Sequence, residues 1–224
     1  RNGIKVLSYN WMPNDDWTRT GFNVPARGGA LTNEFNFADL KGSRVSFSVS
    51  AANLWKNLEY FLRAIIPVAE TAGVELAMHP DDPPLPELLG APQIMHEPRA
   101  FERLFAIVPS KANGMCFCGG VFSSMGENVA ALVRRFGGRI HYAHFRDVRG
   151  TVPHFVETFH DEGQQNMAEV MRAYRDIEFS GPMRPDHVPK LAGEDGIADG
   201  YTMLGRLFAV GYIRGLMQAT ESEA

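Results

Sequence analysis

The fold is decided by residues 51–84, AANLWKNLEYFLRAIIPVAETAGVELAMHPDDPP, in which a long helical pattern passes through a glycine into a short apolar strand. Leucine and isoleucine recur at helical spacing, so residues 51–72 are predicted to form an amphipathic helix that ends at Gly73. Residues 74–78 are then predicted to form a strand, which is followed directly by His79. A helix that leads at once into a strand is typical of proteins in which helices and strands alternate.

The same alternation continues on both sides of this stretch. Further strands are predicted at 3–11, 114–119, 139–145 and 181–186, and further helices at 98–108, 125–136, 166–175 and 201–219. Strands separated by helices favour a parallel sheet, either in a (β/α)8 TIM barrel or in an open doubly wound sheet. No glycine-rich phosphate turn follows any predicted strand, which counts against a nucleotide-binding doubly wound fold.

A single TIM-barrel domain over residues 1–224 is the preferred prediction. A barrel needs eight strands and about 250 residues, so its first strands are expected to precede residue 1. Residues 14–43 are polar and rich in glycine and are predicted to form a long loop, a candidate lid or oligomer contact. A discontinuity of the chain within 14–50 is also considered.

Composition excludes several classes of function. The net charge is −4, the pI is about 6.0, and no basic stripe is visible, so a nucleic-acid partner is not expected. No apolar run approaches the ~20 residues that a membrane helix needs. The two cysteines, Cys116 and Cys118, are one residue apart and are expected to be reduced thiols in a cytoplasmic protein.

Residues that bind metals follow or end four of the predicted strands. They are His79, Cys118, His144 and Asp186. Because the carboxyl ends of parallel strands meet on one face of a barrel, these four side chains are expected to converge. Two imidazoles, a thiolate and a carboxylate suit Mn, Fe(II), Co or Zn, whereas Mg and Ca prefer oxygen ligands.

Each of these residues alone also fits a structural role. A histidine near a strand end is usually a hydrogen-bonded structural group, a cysteine in an apolar strand is more often a buried hydrophobe, and Asp186 could cap a turn. Cys116 is predicted to be a buried residue of this kind. The repetition at four strand ends favours a metal site over four separate structural roles.

Polar residues near these strand ends add candidates for binding and proton transfer. Asp81 and Asp82 could orient the metal ligands, although a surface turn would explain them as well. Arg184 shares a strand face with Asp186 and could hold it, and His187 could carry a proton near neutral pH. Arg146 could bind a substrate carboxylate or form a salt bridge with Asp147 or another acid.

The motifs resemble those of the mannonate dehydratase family over nearly the whole chain. The most specific match is NLEYFLRAIIPVAETAGVELAMHPDDPP at 57–84. The other matching segments are Trp11-Met12-Pro13, Asp16-Trp17-Thr18-Arg19-Thr20, Asn113-Gly114 with Cys118, His144-Phe145-Arg146, Met183-Arg184-Pro185-Asp186-His187, Gly200-Tyr201 and Gly205-Arg206-Leu207.

The resemblance implies a TIM-barrel enzyme that depends on Mn2+ or Fe2+ and converts D-mannonate to 2-keto-3-deoxy-D-gluconate plus water. It also implies a homo-oligomer. By position it assigns the metal ligands to His79, Cys118, His144 and Asp186. Proton transfer falls to His187 and Tyr201, with their roles undivided, and the candidate substrate-binding residues are Arg19, Arg146 and Arg184.

The sequence also departs from the family pattern close to the predicted ligands. Gly119-Gly120-Val121 stands where the family usually has Thr-Gly-Ser, and Val188-Pro189 follows His187 where glycine is usual. These changes leave the ligands intact but affect the surroundings of the substrate. Two alternatives therefore remain, a metal-dependent sugar isomerase or epimerase on the same barrel, and a non-catalytic relative that binds sugar acids.

Overall fold

The computed structural model describes residues 3–13, 17–42, 49–194 and 200–221. The strands are β1 (Val6–Tyr9), β2 (Gly21–Pro25), β3 (Leu31–Asn36), β4 (Glu75–Met78), β5 (Glu87–Leu88), β6 (Ala91–Pro92), β7 (Asn113–Cys118), β8 (Ile140–Phe145), β9 (Val148–Thr151), β10 (His154–Glu157) and β11 (Met183–Pro185). The helices are α1 (Ala51–Ala72), α2 (Pro98–Ile107), α3 (Gly119–Ser124), α4 (Val129–Phe136), α5 (Met167–Asp176) and α6 (Met203–Glu221).

The main sheet is parallel and has the order β1-β4-β7-β8-β11, so neighbouring strands follow one another along the chain. This confirms the predicted parallel sheet with helical crossovers, which here forms a half-barrel. Strand β1 pairs only with β4 among the described strands. Leu7 on this edge strand is accordingly 49% exposed.

Helix α1 has the predicted bounds, and its caps explain why it begins and ends there. The side chain of Ser50 accepts a hydrogen bond from the amide of Asn53, and Gly73 ends the helix at a φ of 64°. Its buried side chains recur at helical spacing and pack on the core beside β4 (Leu54, Leu58, Leu62, Ile66 and Ala69). Each large apolar side chain buried in this way contributes about 1.5–3 kcal/mol of transfer free energy.

A second, antiparallel sheet has the order β2-β3-β10-β9 and was not predicted. The prediction of one long loop over 14–43 is wrong for residues 21–36, which contain β2 and β3. The alternation of β3 is hidden in the sequence because its buried Thr32 is polar, and that hydroxyl donates to the carbonyl of Glu157 at 3.0 Å. Phe35 packs beside Phe155 to form the small core of this sheet. Residues 14–16, with Asp16 of the motif, and residues 43–48 lie outside the described part.

The helix predicted at 125–136 begins four residues later than predicted, as α4, and a separate helix that was not predicted, α3, precedes it. Gly126 has a φ of 85°, which a helix does not accommodate. The side chain of Asn128 then caps α4 by accepting a hydrogen bond from the amide of Ala131 at 2.9 Å. The position of α3 is important for the site, because this helix begins directly after Cys118, at the carboxyl end of β7.

No helix in the described ranges is long and apolar enough to cross a membrane.

Candidate metal centre and proton-transfer site

The four predicted metal ligands meet at the carboxyl edge of the main sheet. The candidate ligand atoms of His79, Cys118 and His144 all lie within 4.8 Å of one another. The register explains this convergence, since Cys118 on β7 pairs with His144 on β8. His79 follows the neighbouring strand β4 at the same edge.

Asp186, directly after β11, lies beside Cys118 and His144 but is not part of the set whose ligand atoms all lie within 4.8 Å of one another. Its Oδ2 is 3.7 Å from the sulfur of Cys118 and 3.5 Å from Nδ1 of His144. The two oxygens also accept hydrogen bonds from Nε of Arg146 at 3.0 Å and from Nη2 of Arg184 at 2.5 Å. Burial acts to raise the pKa of Asp186, but the neighbouring His187, His144 and Arg146 outweigh it and hold the pKa well below its usual value.

The chemistry of these side chains fits a bound transition metal. Nδ1 of His79 donates to the carbonyl of Pro80 at 2.7 Å, which leaves Nε2 free as a ligand, and burial lowers the pKa of this imidazole, which favours the neutral form that binds metals. Nδ1 of His144 is buried and makes no hydrogen bond within the described structure. A buried polar atom without a partner is costly unless something else satisfies it.

Cys116 lies on the same strand as Cys118 but belongs to neither of the two groups of candidate metal ligands in the described ranges, which are His79, Cys118 and His144, and Asp82, Glu157 and His187. Both thiols are free and buried. Burial raises the pKa of Cys116 well above its usual value, as expected for the buried residue that the sequence predicts.

His187 and Tyr201 form a hydrogen-bonded pair, with 3.0 Å between Nε2 of the imidazole and the hydroxyl oxygen. The indole of Trp17 packs against both rings, with centroid separations of 5.2 and 6.3 Å. Burial raises the pKa of Tyr201 to about 12, so its hydroxyl stays protonated near neutral pH. The pair can therefore hold a proton at a defined place beside the four candidate ligands.

A cavity of about 240 Å³ opens between the candidate metal ligands and this pair. Its lining comprises Ser8, Tyr9, Asn10, Trp17, His79, Asp82, His144, Arg184, Asp186, His187 and Tyr201. Of the three arginines predicted to bind substrate, only Arg184 lines the cavity. Its Nε is buried and has no hydrogen-bond partner among the described residues.

Arg19 and Arg146 are instead buried in a network of carboxylates, and their side chains are 0% and 1% exposed. Arg19 binds Asp82 through both terminal nitrogens at 2.8 and 3.0 Å, and it also contacts Glu157. Arg146 donates to Asp82 at 2.7 Å, to Glu157 at 2.8 Å and to Asp186 at 3.0 Å. Neither arginine lines the cavity, and for Arg146 the salt-bridge alternative describes the geometry, with partners other than Asp147.

The acidic pair after β4 has a different arrangement from the predicted one. Asp82 belongs to the arginine network, whereas Oδ2 of Asp81 accepts from the amide of Met95 at 2.6 Å and so holds a neighbouring loop. Neither carboxylate holds the imidazole of His79, whose Nδ1 is bound by the carbonyl of Pro80.

Glu157 is the functional candidate that the sequence analysis missed. It ends β10 in the second sheet, between His144 and Asp186 in the sequence, and no motif marks it. Its side chain is 3% exposed, and Oε1 lies 3.0 Å from Nδ1 of His187. Only its place in a strand beside the site could have drawn attention to it.

The glycines after Cys118 have a structural explanation. A Cβ at Gly120 would lie 2.5–2.8 Å from side-chain atoms of Arg146, and a Cβ at Gly119 would lie 2.9 Å from the carbonyl oxygen of the same arginine. Both contacts are closer than a Cβ tolerates. The start of α3 is therefore shaped to admit the buried guanidinium of Arg146.

Comparison with known proteins gives one consistent result. A family model described as D-mannonate dehydratase (UxuA) matches residues 43–224. The mannonate dehydratase of Oceanobacillus iheyensis is 36% identical over 250 residues, which cover 99% of this chain and 71% of that protein. Mannonate dehydratase 2 of Halalkalibacterium halodurans is 35% identical, with 98% and 72% covered.

Solved structures agree with these relatives. The crystal structure of mannonate dehydratase from Streptococcus suis serotype 2 superimposes with a TM-score of 0.92 at 34% identity, covering 99% of this chain and 68% of that chain. A D-tagatose 3-epimerase-like protein gives a TM-score of 0.56 at 18% identity, covering 79% and 59%. A xylose isomerase domain protein from Alicyclobacillus acidocaldarius gives 0.56 at 11%, covering 80% and 63%. The last two share the fold alone.

Proposed function

The chain belongs to the D-mannonate dehydratase family, and we propose that it is a metal-dependent dehydratase that converts D-mannonate to 2-keto-3-deoxy-D-gluconate and water. The observation that carries the proposal is the meeting of two imidazoles, a thiol and a carboxylate beside a hydrogen-bonded histidine–tyrosine pair. This arrangement combines a site for a cation with groups that can move a proton, and the proposed reaction needs both.

The proposed metal ligands are His79, Cys118, His144 and Asp186, and the proposed metal is Mn2+ or Fe2+. Nitrogen and sulfur donors favour transition metals over Mg2+ and Ca2+. A bound divalent cation would supply a Lewis acid that stabilises negative charge on the acid end of the substrate. A metal bound through Nδ1 of His144 would also give that buried atom the partner it lacks among the described residues.

Proton transfer is assigned to His187 and Tyr201. Dehydration of an aldonate breaks the C2–H and C3–O bonds, and the proton and the hydroxyl together make the water that leaves. The enol that results becomes the 2-keto acid when its C2 hydroxyl loses a proton and C3 gains one. One group must accept the C2 proton and another must protonate the departing hydroxyl. The pair lines the cavity with 3.0 Å between its polar atoms, so both roles can be met there.

Arg184 is the proposed anchor for the substrate carboxylate. It lines the cavity, its side chain is 40% exposed, and its Nη2 already holds Asp186. A guanidinium that lines the cavity and binds a proposed metal ligand on one side can orient a carboxylate next to the cation. The roles of Arg19 and Arg146 are proposed to be structural and electrostatic, since their donors are bound by buried carboxylates.

The half-barrel is proposed to represent five strands of a xylose-isomerase-like (β/α)8 barrel in a single domain. The open edge at β1 and the fold shared with barrel proteins support this proposal. A homo-oligomer and a cytoplasmic location are also proposed. The free state of both cysteines is consistent with a reducing compartment.

The test is an incubation of the Mn2+-loaded chain with D-mannonate, with an assay for the 2-keto-3-deoxy acid. We expect product that EDTA abolishes and that added Mn2+ restores. D-gluconate, the C2 epimer, is the matched control substrate. Conversion of a ketose or an aldose, without dehydration of any aldonate, would replace the proposal by an isomerase or epimerase. Tight Mn2+ binding without product from any of these sugars would indicate a binding protein.

A further inference from the structure

The carboxylate of Glu157 lies behind the imidazole of His187, on the side away from Tyr201. We propose that Glu157 is a positioning residue that fixes the tautomer of His187, so that Nδ1 carries the hydrogen and Nε2 presents its lone pair to Tyr201 and the cavity. The inference rests on the proposed function for its catalytic consequence, but the tautomer itself can be measured without turnover.

The hydrogen-bond geometry supplies the first argument. Oε1 of Glu157 lies 3.0 Å from Nδ1 of His187, and Nε2 of the same ring lies 3.0 Å from the hydroxyl oxygen of Tyr201. An ionised carboxylate can only accept a hydrogen bond, so Nδ1 must donate. In a neutral imidazole Nε2 is then the acceptor, and the hydroxyl of Tyr201 donates to it.

The surroundings of Glu157 keep it ionised. Its Oε2 accepts from Nη1 of Arg146 at 2.8 Å, and its Oε1 also accepts from Arg19. Burial acts to raise the pKa of Glu157, but the two guanidinium groups outweigh it and hold the pKa below its usual value. A buried carboxylate with two fixed cations is a strong and immobile acceptor.

Other groups near His187 do not compete for this role. Nη2 of Arg19 lies 3.5 Å from Nδ1, but the same nitrogen binds Glu157 and Asp82 more closely. Oδ2 of Asp186 lies 3.8 Å from Nε2, beyond hydrogen-bonding distance. Glu157 is therefore the nearest acceptor to Nδ1 among the described residues.

This assignment gives the second sheet a function. Glu157 is the last residue of β10, which pairs with β3 and β9 and takes no part in the main sheet. The sheet places one carboxylate behind a residue at the carboxyl edge of the barrel strands. A histidine oriented in this way by a carboxylate is a recurring device for holding an imidazole ready to accept a proton.

The direct test is 15N NMR of the histidine side chains in the Zn2+-loaded chain, at a pH where His187 is neutral. Zn2+ avoids the line broadening caused by Mn2+, and the His187→Asn variant assigns the signal. We expect the shifts of an imidazole protonated at Nδ1. Shifts showing that Nε2 carries the hydrogen in the wild-type protein would by themselves overturn the inference.

Two isosteric variants distinguish loss of the contact that positions His187 from loss of a buried negative charge in general. Glu157→Gln and Asp82→Asn each remove one carboxylate that binds both Arg19 and Arg146, but of the two carboxylates only Glu157 lies within hydrogen-bonding distance of His187. We expect Glu157→Gln to change the tautomer signal and to lower kcat with D-mannonate by at least about 100-fold. Its KM and its affinity for Mn2+ should change much less.

Asp82→Asn should leave the His187 tautomer signal as in the wild type. Equal changes of that signal in the two variants, or an unchanged signal in Glu157→Gln, would refute the positioning role. If the chain turns over no sugar acid at all, the proposed function fails, and the NMR result still decides whether Glu157 sets the tautomer.

Discussion

Replacement of Arg146 by methionine should destabilise the protein by about 3–5 kcal/mol, which is the typical cost of removing one partner from a buried ion pair. The guanidinium is 1% exposed and its three nitrogens donate to Asp82, Glu157 and Asp186 at 2.7, 2.8 and 3.0 Å. Arg19 would still neutralise the first two carboxylates and Arg184 the third. The expected loss is therefore that of one buried pair and not of three.

The assay is urea unfolding in the presence of EDTA, so that metal binding does not contribute to the free energy of unfolding. With a slope of about 2 kcal/mol per molar urea, the midpoint should fall by about 2 M. Arg134→Met is the matched control, because Arg134 contacts Glu169 and Asp176 at 2.6 and 2.8 Å but its side chain is 40% exposed.

The control should cost less than about 1 kcal/mol, because solvent screens an exposed ion pair. A loss of under about 1 kcal/mol for Arg146→Met, or a loss no larger than that of the control, would refute the view that this guanidinium stabilises the buried network.

Three further predictions concern single residues. Cys118→Ser should lower bound Mn2+ sharply in elemental analysis and Cys116→Ser should not, and the reverse pattern would mean that the other thiol is the ligand. His187→Asn should keep its metal yet lose turnover, so full activity would remove this residue from the mechanism. Burial lowers the pKa of His160 to about 4, whereas the unfolded value is about 6.5. The free energy of unfolding present above pH 6.5 should therefore fall by about 3 kcal/mol as the pH drops to 4. The His160→Phe variant should lose less over the same pH range. Parallel plots of the free energy of unfolding against pH for the two proteins would contradict this.

The candidate metal centre could be predicted because each of its ligands ends or directly follows a short strand that can be recognised in the sequence. A strand such as 74–78 is recognisable locally, and a parallel sheet brings the carboxyl ends of its strands to one edge. His79, Cys118 and His144 therefore needed only the strand pattern to be grouped. The cluster of their ligand atoms within 4.8 Å follows from that rule.

The second sheet could not be predicted in the same way. Its strands carry polar residues at buried positions, such as Thr32 and Glu157, whose partners come from distant segments. Hydrophobic periodicity indicates which apolar residues are buried. It does not reveal polar groups that are buried because tertiary hydrogen bonds satisfy them. For the same reason, the sequence did not show that Arg19 and Arg146 are buried, and their prediction as substrate-binding residues relied on residue type alone.

The sequence by itself determined the parallel sheet, the bounds of α1 and the strand ends from which His79, Cys118, His144 and Asp186 project, because local periodicity and capping encode these features. Only the tertiary structure decided which charged groups are free and which are paired. Pairing depends on contacts between residues far apart in the chain, as between Arg19 and Glu157. Such contacts cannot be recognised in the local sequence, and in this structure they bury the guanidinium groups of Arg19 and Arg146 among carboxylates.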